Sequence, residues 1–181
     1  YGFNLIHSPS EPELENALVD LYLRRGITLV EASAFLALTP ALVRYRTHGL
    51  RRDAEGRVVA PNRVIGKVSR EEVAARFFAP PPERFLRELV ASGQLSAEQA
   101  EMAAEIPMAQ DVTVESDSGG HTDNRPALAL FPTIQAQRNV CQKQYDYTQP
   151  LRVGLGGGIA TPASAAAAFA LGAAYLVTGT V

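Results

Sequence analysis

A chain of 181 residues that is 46% hydrophobic and 20% charged is long enough for one domain with a sizeable core, and it reads as a single unit over residues 1–181. A net charge of -2 and a pI near 5.9 leave no basic footprint for nucleic acid or an anionic membrane. The one cysteine, Cys141, excludes an internal disulfide and fits a reducing cytoplasm.

Tyr1-Gly2-Phe3-Asn4-Leu5-Ile6 reads as a core strand. After the His7-Ser8-Pro9 turn, Ser10 with Glu13 three residues on predicts a capping box. The helix it opens has Leu14, Leu18, Leu21 and Tyr22 as its stripe and ends at Arg24-Arg25-Gly26. Ile27 to Ser33 is apolar and β-branched, the next strand. Thr39-Pro40 reads as N-cap and first-turn proline of a helix through Tyr45. The arginines at 44, 46, 51 and 52 read as a solvated loop face, with an acidic partner as the alternative. Asp53-Ala54-Glu55-Gly56 is a hairpin-like loop leading to a third strand, Arg63 to Val68, and Ser69 with Glu72 predicts another capped helix.

The rhythm changes at Pro80-Pro81-Pro82. A helix through Phe85, Leu86, Leu89 and Val90, then a Ser96–Gln99 capping box and a second helix ending near Pro107, read as a helical insertion at about 80–107. Asp111 to Glu115 resumes the strands and delivers a polar loop, Ser116 to Arg125. Pro126 starts a helix to about Tyr145 that carries Cys141 among polar residues. Leu151 to Leu155, an Ala-rich helix, and Ala174 to Val181 complete the chain. The uncharged run from Gly154 to Val181 is long enough to raise a membrane span. Pro162, the Gly156-Gly157-Gly158 break, Gly172 and the dominance of Ala over Leu make it a buried βαβ layer instead. Strands at both ends would expose apolar edges, so the chain reads as part of a longer polypeptide.

Six strands, nearly all followed by helices and none long and alternating, are the βα repeat of a parallel sheet buried on both faces. Eight such units close a barrel. The expected fold is an incomplete TIM (β/α)8 barrel of about six βα units, with a flavodoxin-like open sheet as the alternative.

Active sites of parallel barrels lie at the C-terminal strand ends. Here those ends carry Asn4, Ser33, Lys67, the loop from Glu115 to Arg125, Gly157-Gly158 and Gly179-Thr180. The last two glycine ends follow neighbouring strands, so the N–H groups of Gly157, Gly158, Gly179 and Thr180, with the Thr180 hydroxyl, can close around a phosphate. A dinucleotide fingerprint fails on spacing, because Ile159 or Thr161 stands where its third small residue is needed. Lys67 reads either as a cation beside an electron-rich ring or phosphate, or as a lysine reaching solvent. Gly119 and Gly120 let the backbone approach a ligand closely, and His121 after them can donate a proton or hydrogen bond to a substrate carbonyl, with a loop-ordering histidine as the alternative. His7 and His48 read as structural. No Cys/His set has zinc spacing, and no nucleophile elbow or calcium-binding carboxylate run is present in the sequence.

The string Glu115-Ser116-Asp117-Ser118-Gly119-Gly120-His121-Thr122-Asp123-Asn124-Arg125 resembles the PfaD family, as do Gly2 to Pro9, Ala60 to Ser69, Gly157-Gly158-Ile159 and Thr178-Gly179-Thr180-Val181. These are trans-acting enoyl reductases of polyketide and polyunsaturated fatty acid assembly lines, related to nitronate monooxygenases. The resemblance implies a TIM barrel holding FMN, with NADPH or NADH as reductant, that reduces an enoyl thioester on acyl carrier protein for a polyketide or fatty acid synthase. By similarity, Gly157, Gly158, Gly179 and Thr180 hold the FMN phosphate, Asn4 and Lys67 touch the flavin, and His121 faces substrate with Asn124 as a second donor. A nitronate-type flavin oxidase and a non-catalytic docking module of a synthase are the alternatives.

Overall fold

The computed structural model describes residues 2–118 and 122–179. In chain order its elements are β1 (Phe3–Ile6), α1 (Pro12–Arg24), β2 (Leu29–Ser33), α2 (Pro40–Thr47), the short strands β3 (Arg51–Arg52) and β4 (Val58–Val59), and β5 (Arg63–Val68). There follow α3 (Glu71–Phe78), α4 (Glu83–Ala91), α5 (Ala97–Ala103), β6 (Asp111–Glu115), α6 (Ala127–Tyr145), β7 (Arg152–Gly156), α7 (Pro162–Ala170) and β8 (Leu176–Val177). β3 and β4 pair as an antiparallel hairpin; the other six strands form one sheet in the order β1-β2-β5-β6-β7-β8, every pair parallel. Strands laid down in strict chain order give no reversal point, which excludes the flavodoxin-like alternative. The sheet curls as an incomplete TIM barrel. Tyr175, just before β8, reaches across Gly154 of β7 to bring its hydroxyl 3.0 Å from Thr113 Oγ1 of β6.

Alternation along each strand sorts the side chains between two faces. Leu5, Ala32, Val64, Val68, Val112, Val114, Val153 and Leu155 are buried beneath the helices. The opposite, concave face carries Asn4, Glu31, Ile65, Asp111 and Arg152 in one register row, and Lys67, Thr113 and Gly154 in the row above. Alternation of this kind, in strands that read as wholly apolar, puts polar chemistry only on the inside. The insertion consists of α4 and α5, which pack on α2 at the helical exterior with Leu86, Leu89 and Met102 buried. Among the described residues, no helix is long and apolar enough to cross a membrane.

Several local expectations are met: Thr39 Oγ1 accepts from Leu42 N at 3.2 Å, and Ser96 and Gln99 form their reciprocal box. Two are not. α1 starts at Pro12 with Glu11 as N-cap and no side-chain cap, because the fixed φ of proline suits the first helical position and leaves Ser10 one residue too early. Ser10 lies 3.2 Å from the Ser8 hydroxyl instead. α3 is preceded by Arg70 as N-cap, and the Ser69 hydroxyl donates to Asp123, 54 residues on, rather than to the helix. Of the four arginines only Arg51 and Arg52 are exposed, so the solvated face is met in part. Arg46 is buried, donating from Nε to Pro107 O at 3.0 Å and from Nη1 to Asn62 O at 2.6 Å, while Arg44 pairs with Asp20 and Arg52 with Glu105. Cys141 is buried, and its Sγ accepts from Gln137 Nε2 of the same helix at 3.5 Å.

Candidate functional site

The concave floor is a connected polar line across four strands' worth of register. Lys67 Nζ lies 3.1 Å from Glu115 Oε1 and 3.8 Å from Glu31 Oε1, each side chain about a quarter exposed. Ser33 Oγ stands 2.9 Å from Asn4 Oδ1 and 3.3 Å from Glu31 Oε1, and its single proton serves one of them at a time. When it serves Asn4, the Asn4 amide NH2 is left as the donor available to a ligand. Lys67 is therefore neither a free cation nor a lysine reaching solvent: it is held between two carboxylates. One ammonium and two carboxylates leave the floor with a formal excess of negative charge, which disfavours a phosphate there and suits the hydrogen-bonding edge of a neutral ring.

The glycine ends lie on the same rim, since β7 and β8 are parallel neighbours. Gly157 has φ +88°, and a Cβ there would run into the Ser116 carbonyl. Ser116 in turn donates from its backbone N to Gly156 O at 2.9 Å, and its hydroxyl lies 2.9 Å from Gly156 O and 3.2 Å from Gly157 O. Gly157 is thus glycine for a packing reason within the protein. Among the described residues, Gly158, φ +70°, has only Asp117 O at 3.7 Å near its missing Cβ, and Gly179 has nothing within 4 Å. Gly158 leads into α7, whose Thr161–Ser164 capping box marks a helix N-terminus, and Gly179 follows β8, the strand beside β7. That set fits an anionic group such as the phosphate of FMN. Thr180 lies outside the described residues.

The loop after β6 starts from the same rim, and its two described ends are tied down by hydrogen bonds. Asp117 N donates to Arg125 O at 2.9 Å, and the Thr122 hydroxyl donates to Asp117 Oδ1 at 3.0 Å. Asp123 Oδ2 accepts from Ser69 Oγ at 2.6 Å and Arg70 Nε at 3.0 Å. Those two hydrogen bonds, Arg70's first, hold the Asp123 carboxyl below its ordinary range. Asn124 follows with φ +53°, its side chain exposed and its N–H bonded to Thr122 Oγ1. Gly119, Gly120 and His121, all singled out in the sequence, lie outside the described residues.

His7 has a structural setting: Nδ1 is 2.7 Å from the buried Glu15 carboxylate, whose other oxygen accepts from Thr39. Sequence reasoning missed Glu31, and it placed Ser116 and Asp123 in the rim loop without giving either a role of its own. A signal existed for Glu31, a charge in the middle of an otherwise apolar Leu29-Val30-Glu31-Ala32-Ser33 strand. Among the described residues no cluster of His, Cys, Asp and Glu could hold a metal ion.

No family model matches the chain. It is 54% identical, over its whole length, to a polyunsaturated fatty acid synthase component of Thraustochytrium sp., and 46% identical to polyketide biosynthesis protein PksE of Bacillus subtilis. The enoyl reductase domain of MlnA, from the macrolactin biosynthesis cluster of Bacillus amyloliquefaciens, superposes with a TM-score of 0.92 at 38% identity over 98% of this chain. The chain belongs to the PfaD-like enoyl reductase family. It spans 12% and 24% of the two relatives' lengths and 40% of the MlnA chain. A FabK variant from Thermotoga maritima, 23% identical with a TM-score of 0.57 over 99% of this chain and 43% of its own, shares the fold alone.

Proposed function

We propose that this chain is part of a trans-acting, cytoplasmic enoyl reductase that uses FMN and NADPH or NADH. Its substrate is the α,β double bond of an enoyl thioester on acyl carrier protein, in the service of a polyketide or fatty acid synthase. The observation that carries the reading is the 38% identity to the MlnA enoyl reductase domain over 98% of the chain, with the polar floor and glycine ends on one rim supporting it. FMN, when bound, supplies the hydride chemistry that no side chain offers. Gly158, Gly179 and Thr180 would hold its phosphate, Gly157 would shape the turn that aims them, and Gly119 and Gly120 would let the backbone close on it. Asn4 and the Lys67 floor would take the hydrogen-bonding edge of the ring.

Reduction at the β-carbon puts charge on the thioester oxygen and calls for a proton at the α-carbon. His121 is assigned one of these tasks and Asn124 the donor role toward the oxygen. Purified full-length protein is expected to show a flavin absorption band and to consume NADPH or NADH with a carrier-bound enoyl thioester. His121→Ala should keep the band and lose turnover. A colourless full-length protein, or one that consumes nicotinamide only with a nitronate under air, refutes the proposal.

A further inference from the structure

The Ser69 hydroxyl sits where a helix cap would be expected, yet it serves a carboxylate in a different rim loop. Arg70, the residue that does stand at the N-cap, sends its Nε to the same oxygen. Two donors from the β5–α3 turn thus converge on Asp123 Oδ2. The residue next to Asp123 is Asn124, in the left-handed region at φ +53°, a conformation that asparagine tolerates but does not prefer. On its other flank Arg125 O is held by Asp117 N at 2.9 Å. Further back, the Ser116 hydroxyl anchors the start of the same loop to the β7 end. Asn124 is therefore flanked by fixed points on both sides, and only one of them, Asp123, reaches a neighbouring strand's loop.

We propose that Asp123 is a positioning residue: clamped by Ser69 and Arg70, it fixes residues 122–125 against the β5–α3 turn and so holds Asn124 in place over the rim. The inference rests on the reading of Asn124 as a donor to the substrate. The ion pair is exposed, 43% at Arg70 and 38% at Asp123, so it adds little to global stability. Its effect is local. Misplacing a group beside the reacting atoms by about 1 Å costs up to about 100-fold in rate.

The test uses the full-length protein and three variants, Asp123→Ala, Asp123→Asn and Ser69→Ala. Asp123→Ala should lower kcat by about 10–100-fold with KM within about twofold. The flavin band should be unchanged, and the thermal midpoint should move by no more than about 4 °C. Asp123→Asn keeps an acceptor for Ser69 and should recover part of the loss. Amide hydrogen exchange at residues 122–125 should accelerate in Asp123→Ala and, less, in Ser69→Ala. Unchanged kcat, or unchanged exchange, overturns the clamp; loss of the flavin band in Asp123→Ala overturns it too, by moving the residue into cofactor binding. If the wild-type protein turns over no enoyl thioester, the functional reading falls on its own, and the exchange comparison still decides the clamp.

Discussion

Gly157 and Gly158 are neighbours with positive φ, and they should respond to a single added methyl in opposite ways. Placing a Cβ residue in the left-handed region costs about 1–2 kcal/mol at either position. At Gly158 little else is added, since the nearest atom to the new carbon is Asp117 O at 3.7 Å. At Gly157 the new carbon would overlap the Ser116 carbonyl, which belongs to backbone and cannot swing aside. Relief requires moving the Ser116 peptide, and with it the bonds of Ser116 to Gly156 and Gly157, each worth about 1 kcal/mol. Gly157→Ala should therefore cost about 3–4 kcal/mol against about 1–2 for Gly158→Ala. In a domain of this size the difference corresponds to roughly 4–8 °C in thermal midpoint. FMN affinity should rank the other way: Gly158→Ala places its methyl in the open space offered to the phosphate and should weaken binding while the fold survives. Urea unfolding and a flavin titration on the full-length variants measure both. Equal destabilisation at the two positions, or FMN binding untouched by Gly158→Ala, would refute the assignment of packing to one glycine and ligand to the other.

Lys67→Met should leave Glu31 and Glu115 without the cation between them and destabilise the sheet by about 1–3 kcal/mol, less than a fully buried pair because each side chain is about a quarter exposed. FMN affinity should fall with it, and a flavin titration unaffected by the change would remove the floor from the site. In alkali, burial raises the Tyr45, Tyr147 and Tyr175 phenols above their ordinary value, so their contribution is complete below pH about 10, where unfolded phenols are still neutral, and is lost as pH rises through the raised values. Arg46, pushed down to about 10 by burial, has the opposite sign, its desolvation cost being relieved as pH climbs above about 10, but it is one group against several phenols that burial raises. Burial raises the Cys141 thiol in the same way, so the urea midpoint should begin to fall above pH about 9 and fall more steeply above about 10, with a shallower fall in Tyr147→Phe; a midpoint that rises above pH about 10 would reverse the reasoning.

The repeating strand-and-helix order was legible because each strand is a short apolar run and because Thr39 and Ser96 stand directly at their helix starts. Where a second force competes for the same residue, local pattern fails. Proline took the helix start from Ser10, and a carboxylate 54 positions away took Ser69 from α3. Lys67 read as a lone cation because its partners come from β2 and β6, and Arg46 read as solvated because the two carbonyls that bury it belong to loops at Asn62 and Pro107. The glycine ends were readable as open backbone, but the division of labour between Gly157 and Gly158 was not. It depends on the height at which Ser116 passes.

Ser116 and Gly157 therefore form one joint between two loops that belong to different repeats. Anyone grafting the β6–α6 loop of another family member onto this scaffold would be exchanging one half of that joint. A donor loop whose first carbonyl sits lower would tolerate a side chain at 157; one that sits higher would collide even with glycine. Successful chimaeras should carry the two segments together.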